Sequence, residues 1–302
     1  MQDPDGLQNL LGLTHLQDLR LNGSAYNGDV SLKASMLSGL QQLTRLELQN
    51  FHNYTEGTGL DPEVIAGKTQ LEHLKVVKCR ITGGSAGVAQ LLSHLQPLQQ
   101  LTYLHVGDGF FIRQASPPSA AYSALTGSSK LQHLDISGCL LPHDVWQHVF
   151  PAGRQLPHLR ELDISGPRSA DDYHDPARRM IITTPEASRL VSCCPGLQSL
   201  NMRFLQYTAE LLAPLTGLSG LQELSLSPFS TTKGLEVVCQ LTWLRRLYLG
   251  PSTKDTQTIL RQRQLQQLTQ LKQLTHLELV GCKKRGLADS GTLVLSYEVS
   301  AT

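Results

Sequence analysis

The sequence has no surplus of either charge, no apolar leader and no long hydrophobic run. Its 26 Lys and Arg residues stand against 25 Asp and Glu, a net charge of +1. That lacks the basic excess of a dedicated nucleic-acid binder, so electrostatics names no partner class. The opening Met1-Gln-Asp-Pro-Asp-Gly6 is acidic and polar, unlike the basic start and apolar core of a secretory signal. No run of about 18 apolar residues that would span a bilayer follows it. The expectation is a cytoplasmic chain, with nucleus or ciliary axoneme as alternatives, that is not secreted. In that setting the six cysteines read as reduced thiols and not as a disulfide framework. The sequons at Asn22-Gly-Ser24 and Asn53-Tyr-Thr55 then meet no glycosylating machinery.

Signatures of chemistry are scarce too. Gly83-Gly-Ser-Ala-Gly87 sits between a strand and a helix, where a phosphate could be cradled, but it lacks the Gly-Lys-Ser/Thr of a P-loop. A turn of the fold explains it as well. His143 and His148 are five apart, so they leave a helix on different faces and do not form a metal pair. Cys193-Cys194 is not Cys-x-x-Cys, and no second pair follows at zinc spacing. No Gly-x-Ser-x-Gly elbow is present. The expectation is therefore no enzyme activity, no cofactor and no metal.

What the sequence does have is a repeated phrase. Leu-x-x-Leu-x-Leu, with Ile, Val or Met allowed at the end, begins at Leu16, Leu43, Leu71, Leu101, Leu131, Leu159, Leu197, Leu221, Leu244 and Leu274. The spacing is mostly about 23 to 30 residues, with one long interval after Leu159. Alternation within the phrase sends Leu19 and Leu21 inward and Arg20 outward. Each copy is thus a short strand that pairs with the next, and only stacking buries the leucines. Between strands, helices are expected at Val88–Leu95, Pro142–Val149, the capped stretch from Thr184 with Pro185, Thr208–Leu215, Lys233–Cys239 and Lys254–Leu268. A helix is wider than a strand, so the stack should curve. The fold class is α/β: a solenoid with a parallel concave β-sheet and convex helices, bent into a horseshoe. It should run through residues 1–302 as about ten to eleven repeats, with 40% apolar content feeding a continuous core.

From about Leu7 to Leu295 the chain resembles leucine-rich-repeat proteins of the ribonuclease-inhibitor-like and cysteine-containing type. That family places Asn or Cys eight residues after the first Leu, where Cys79, Cys139 and Cys282 stand here; the resemblance gives these three a structural role. Phe51, Gly109, Pro167, Leu205 and Phe229 occupy the same place in other repeats. Cys194-Pro-Gly-Leu-Gln-Ser-Leu looks like a phrase of F-box-associated repeats. The resemblance implies a scaffold for protein partners, with three variants: a plain interaction module, the substrate-recognition part of an F-box-type ubiquitin ligase, or a structural component of the ciliary axoneme. Repeat proteins of the Ran-activating type need an acidic tail, which the ending Tyr297-Glu-Val-Ser-Ala-Thr302 does not match.

The phrase begins at once and Leu293-Val-Leu295 looks like an incomplete eleventh strand. A fragment of a longer product, or a chain that packs both ends on partners, is expected. Three loops exceed the repeat, at Phe51–Leu60, Gly107–Ala120 and Gly166–Thr184. The last holds Asp171-Asp172-Tyr173-His174-Asp175 and Arg178-Arg179, either a metal or phosphate site or a solvated loop. On the concave face the third positions read Asp18, Arg45, His73, Tyr103, His133, Glu161, Ser199, Glu223, Arg246 and His276. The fifth read Arg20, Glu47, Lys75, His105, Asp135, Asp163, Asn201, Ser225, Tyr248 and Glu278. Strands about 4.8 Å apart make these two columns into polar ladders. Tyr103, His105, His133, Asp135, Glu161 and Asp163 form one candidate protein-binding patch. Within it, Asp135 and Asp163 are expected as neighbours whose like charges either draw a cation or are settled by His105 and solvent. Arg245, Arg246 and Tyr248 form a second patch, since Arg beside an aromatic is the composition of binding hot spots.

Overall fold

The computed structural model describes residues 10, 12–23, 31–51, 59–107, 117–167, 181–205, 209–227, 232–250, 258–260, 266–280 and 282–284. The chain forms two compact units, Met1–Pro151 and Ala152–Thr302.

In all ten copies the strand starts at the third position of the phrase. The first unit has β1 (Asp18–Asn22), β2 (Arg45–Gln49), β3 (His73–Val77), β4 (Tyr103–Gly107) and β5 (His133–Asp135), paired in that order and all parallel. The second unit has β6 (Glu161–Asp163), β7 (Ser199–Arg203), β8 (Glu223–Ser227), β9 (Arg246–Leu249), β10 (Thr258–Leu260), β11 (His276–Leu279) and β12 (Cys282–Lys284). Here β6, β7, β8, β9 and β11 follow one another in a parallel sheet, and β10 pairs with β12 separately.

Pairing is in phrase register: Leu46 lies opposite Leu74, and Leu74 opposite Leu104. A slip by one residue would turn these leucines to water, and each is worth roughly 2 kcal/mol buried. Leu43, Leu46, Leu48, Leu71, Leu74, Leu104 and Leu134 in the first unit and Leu197, Leu200, Leu224 and Leu247 in the second are all buried. A second device holds the register. The carbonyl at the second position takes two backbone N–H groups from the next repeat, as when Gln17 accepts from Thr44 and Arg45 at 2.9 Å and Thr44 from Glu72 and His73 at 2.8 and 3.0 Å. The same fork recurs at Glu72, Thr102, Arg160, Gln198, Gln222 and Arg245.

The return segments are more varied than the sequence suggested. Helices α1 (Gly84–Leu95) and α2 (Trp146–Val149) alternate in the first unit with 3-10 turns at Ala34–Leu37, Pro62–Ile65 and Ser119–Thr126; α3 (Thr184–Cys193) and α4 (Thr232–Val238) lie in the second. The α3 cap is Thr183 and not Thr184: Thr183 and Glu186 form a capping box. The helix expected from Pro142 begins with a turn and becomes helical only at Trp146. Two expectations need correction. Thr208–Leu215 is not α-helical: Ala209–Gly217 is a 3-10 run with Pro214 inside it, a residue that cannot donate the i to i−4 bond. Lys254–Leu268 is not one helix, since Thr258–Leu260 is strand. The β-branched Thr258 and Ile259 favour that state. Leu293–Leu295 lies outside the described residues.

Where the chain leaves β2, β3, β5 and β7, the eighth position turns left-handed. Asn50, Lys78 and Phe204 take φ of 61°, 54° and 61°, and Gly138 takes 69°. Glycine has no Cβ to clash there. Gly138→Ala should therefore lower stability by about 1–2 kcal/mol, read as a lower urea midpoint at unchanged m-value. An unaltered midpoint would refute the constraint.

Candidate functional site

Because leucines hold the register, the intervening polar residues are stacked in rows. In the first unit Asp18, Arg45, His73, Tyr103 and His133 pair in turn, as do Arg20, Glu47, Lys75, His105 and Asp135. In the second, Glu161, Ser199, Glu223, Arg246 and His276 form one row and Asp163, Asn201, Ser225, Tyr248 and Glu278 the other.

The centre of the first unit is an aromatic stack. Tyr103 lies between His73 at 4.0 Å and His133 at 4.3 Å between ring centroids, both at 9°. Rings spaced more tightly than the strands that carry them present one flat, half-buried aromatic strip. Beside it His105 Nε2 is 3.2 Å from Asp135 Oδ2, and Ser137 N–H donates to Asp135 Oδ1 at 2.9 Å. Gly107 makes this possible, for a Cβ there would come within 2.9 Å of the His105 Nε2.

The strip continues into an ion network that sequence reading had not singled out. Arg45 Nε donates to Glu47 Oε1 at 2.9 Å, His73 Nε2 is 3.3 Å from the same oxygen, and Arg20 grips Asp18 through Nε and Nη2 at 3.2 and 3.0 Å. Burial at 8% exposure would raise the Glu47 carboxyl, but the Arg45 hydrogen bond and the charges of Arg45 and Arg20 outweigh it and hold it below its ordinary value. Burial is also the main reason the His73 imidazole falls to about 4, with Arg45 adding to it and Glu47 opposing. His73 stood beside Tyr103 in the third-position column, so its place was readable; its stacking was not.

In the second unit Asp163 is fully engaged: Ser165 donates to Oδ1 through N–H at 2.9 Å and Oγ–H at 2.6 Å, and Asn201 Nδ2 to Oδ2 at 2.7 Å. Glu161 is exposed at the start of β6. Arg245 is exposed, and its carbonyl holds Thr275 and His276. Arg246 pairs with Glu223 at 3.0 Å. The arginine that meets Tyr248 is neither of these but Arg203, its guanidinium carbon 4.3 Å from the ring centroid. The acidic group at 171–175 and Arg178-Arg179 lie outside the described residues. Among the described residues no group of three His, Cys, Asp or Glu is placed to hold a metal ion.

The ninth-position cysteines act alike where their side chains are described. Cys79 Sγ–H reaches the Leu48 carbonyl at 3.5 Å and that of Val77 at 3.3 Å, and Cys139 Sγ–H donates to Val106 at 2.9 Å. Leu48 and Val106 hold the sixth position of the preceding repeat, so each thiol ties one repeat to the last. Of Cys282 the backbone alone is described, as the first residue of β12 paired with Thr258. Cys193, Cys194 and Cys239 are also buried thiols. At 83–87 the turn reading has a backbone basis, with Gly83 and Gly84 left-handed at the start of α1.

Five in-register strands in each unit, tied one to the next within the unit by the same carbonyl fork, decide the fold. It is that of a leucine-rich-repeat protein. No family model matches this repeat chain, and no curated protein matches it. Among solved structures it is similar to a chain of the mouse RP105/MD-1 complex, with 18% identity and a TM-score of 0.46 over 90% of this chain and 43% of that one. The repeat chain thus spans less than half the length of that neighbour. No described helix is long and apolar enough to cross a membrane.

Two measurements follow from the titrating groups. The unfolded His73 protonates near 6.5 and the folded one near 4. Its contribution to stability is therefore whole above pH 6.5 and lost as pH falls toward 4, at most ~1.4 kcal/mol per pH unit. Urea midpoints at pH 7 and 5 should differ less in His73→Gln than in the parent; equal differences would refute the burial of a neutral imidazole. Burial likewise pushes the Cys79 thiol up to about 12, so iodoacetamide at pH 8 should modify it only after denaturation. Rapid alkylation of Cys79 in the native chain would contradict its packing.

Proposed function

We propose that the chain is a non-catalytic scaffold that binds a protein partner on the polar face of its parallel sheet, with the rim loops at 107–120 and 166–184 extending the contact. The observation that carries this is the Tyr103 strip: three coplanar rings held rigid by register, flanked by charges that already satisfy one another. Rigid aromatic surface loses little side-chain entropy on binding and is enriched in hot spots. In this reading Tyr103, His105, His133 and Asp135 contact the partner from the first unit, and Glu161, Asp163, Arg245, Arg246 and Tyr248 from the second. The partner is a protein and neither nucleic acid nor membrane, in keeping with the balanced charge, and the compartment we propose is the cytoplasm. Cys79 and Cys139 serve structure.

The ubiquitin-ligase variant rests on Cys194-Pro-Gly-Leu-Gln. In the fold Cys194 is buried, its N–H closes α3 on Leu190 at 2.9 Å, and its carbonyl accepts from Leu197 at 3.1 Å. Packing accounts for the phrase by itself, so it favours no partner, and no observation favours the axonemal variant.

Affinity purification with mass spectrometry tests the reading, comparing the intact chain with a Tyr103→Ala, His133→Ala double variant whose fold is checked by circular dichroism. Loss of a reproducible partner, or a Kd weakened at least about 30-fold (hot-spot truncations cost ~2 kcal/mol or more), is expected. Retention of every partner at parental affinity would remove the strip from the binding surface.

A further inference from the structure

The second unit holds an arginine that sequence reading passed over. Arg203 is the seventh residue of its phrase, past the alternating positions that build the ladders, and lies opposite Ser227 in the pairing of β7 with β8. Its guanidinium does not stay on β7. It lies over the Tyr248 ring of β9 at 4.3 Å, two strands away, and 5.3 Å from the Phe204 ring centroid. Small residues open the way: β8 presents Ser225 opposite Tyr248 and the buried Ser227 beside Arg203. On the far side Gly250 completes the seat, since a Cβ there would fall 2.8 Å from the Tyr248 hydroxyl.

Among the described residues no carboxylate compensates the charge in this seat. Arg203 Nε is buried with no hydrogen-bond partner, and no carboxylate among the described residues forms an ion pair with the guanidinium. The nearby Arg246 differs, because Glu223 at 3.0 Å already neutralises it. A stacked arginine keeps its planar fork fixed, and that fork matches a carboxylate edge-on through two parallel N–H donors. One free positive charge suits a monoanion; a phosphate dianion would call for a second free cation, which Arg246 does not supply.

We propose that the Arg203–Tyr248 seat is the specificity point of the second unit and takes an Asp or Glu side chain of the protein partner. This rests on the scaffold reading and deepens it. Arg203 fixes the position of one acidic residue in the partner, and Tyr248 fixes Arg203.

The test pans a library of random twelve-residue peptides on the intact full-length chain, then measures the best synthetic peptide by fluorescence anisotropy. The expected result is an enriched Asp or Glu at one fixed position. Binding should weaken at least about tenfold with Arg203→Gln, with Tyr248→Ala, and with the acidic residue changed to its amide. Combining the amide peptide with Arg203→Gln should add little, because both remove one interaction. Arg203→Lys keeps the charge without the stacked fork and should recover only part of the affinity; circular dichroism verifies the fold of each variant. Enrichment of peptides with no fixed acidic residue, no enrichment at all, or equal binding by parent and Arg203→Gln would overturn the proposal. Binding that survives Arg203→Gln yet falls with Tyr103→Ala would overturn this seat while leaving the scaffold reading standing. Preference for a phosphoserine in place of the acidic residue by more than tenfold would also overturn it.

Discussion

Parallel pairing in phrase register is the constraint on which everything else in this protein depends. Each strand is only three to five residues long, too short to be stable by itself, and its leucines meet a hydrophobic surface only when the next repeat is aligned with it. The forked carbonyl at the second position fixes that alignment at the strand's start, where Gln17, Thr44, Glu72 and Thr102 each hold two amides of the following repeat. Thiols at Cys79 and Cys139 tie the strand's exit to the repeat before. The third and fifth repeats are thereby held at both ends, and in every repeat the polar side chains of the strand take the neighbours that register gives them.

That lack of freedom gives each unit its surface. In the first, third-position side chains from β3, β4 and β5 are aromatic and become a stack, while the charges of β1 and β2 close on themselves around Glu47. A buried acid is costly alone, and the two arginines beside it make it tolerable. In the second unit the ladder residues are smaller, with Ser199, Asn201 and Ser225 in the middle of the sheet. Small side chains leave room for a long one from outside the ladder, and Arg203 uses it. One backbone rule thus produces a flat aromatic strip in one unit and an aromatic-backed cation in the other.

The return side obeys weaker rules. Its segments need only span a fixed gap and bury leucines such as Leu37, Leu92, Leu125, Leu190 and Leu212, so α-helix and 3-10 turn serve equally well. Proline placement and β-branching tip the balance locally, as at Pro214 and at Thr258-Ile259. These choices leave the polar face unchanged, because register is set on the strand.

By itself the sequence determined the repeat, the start of all ten strands and the membership of both polar ladders. Leucines at alternating positions can be buried in only one register, and a period of two leaves no ambiguity about which residues face the other way. It also located Tyr103, His105, His133, Asp135 and Tyr248 on that face. What tertiary structure alone decided is how side chains of different repeats meet: that His73 and His133 stack on Tyr103, that His73 approaches Glu47, that Arg246 is spent on Glu223, and that Arg203 crosses two strands to Tyr248. Such contacts depend on rotamers and on the sizes of residues some 23 to 45 positions apart, and a periodic pattern holds no information about either.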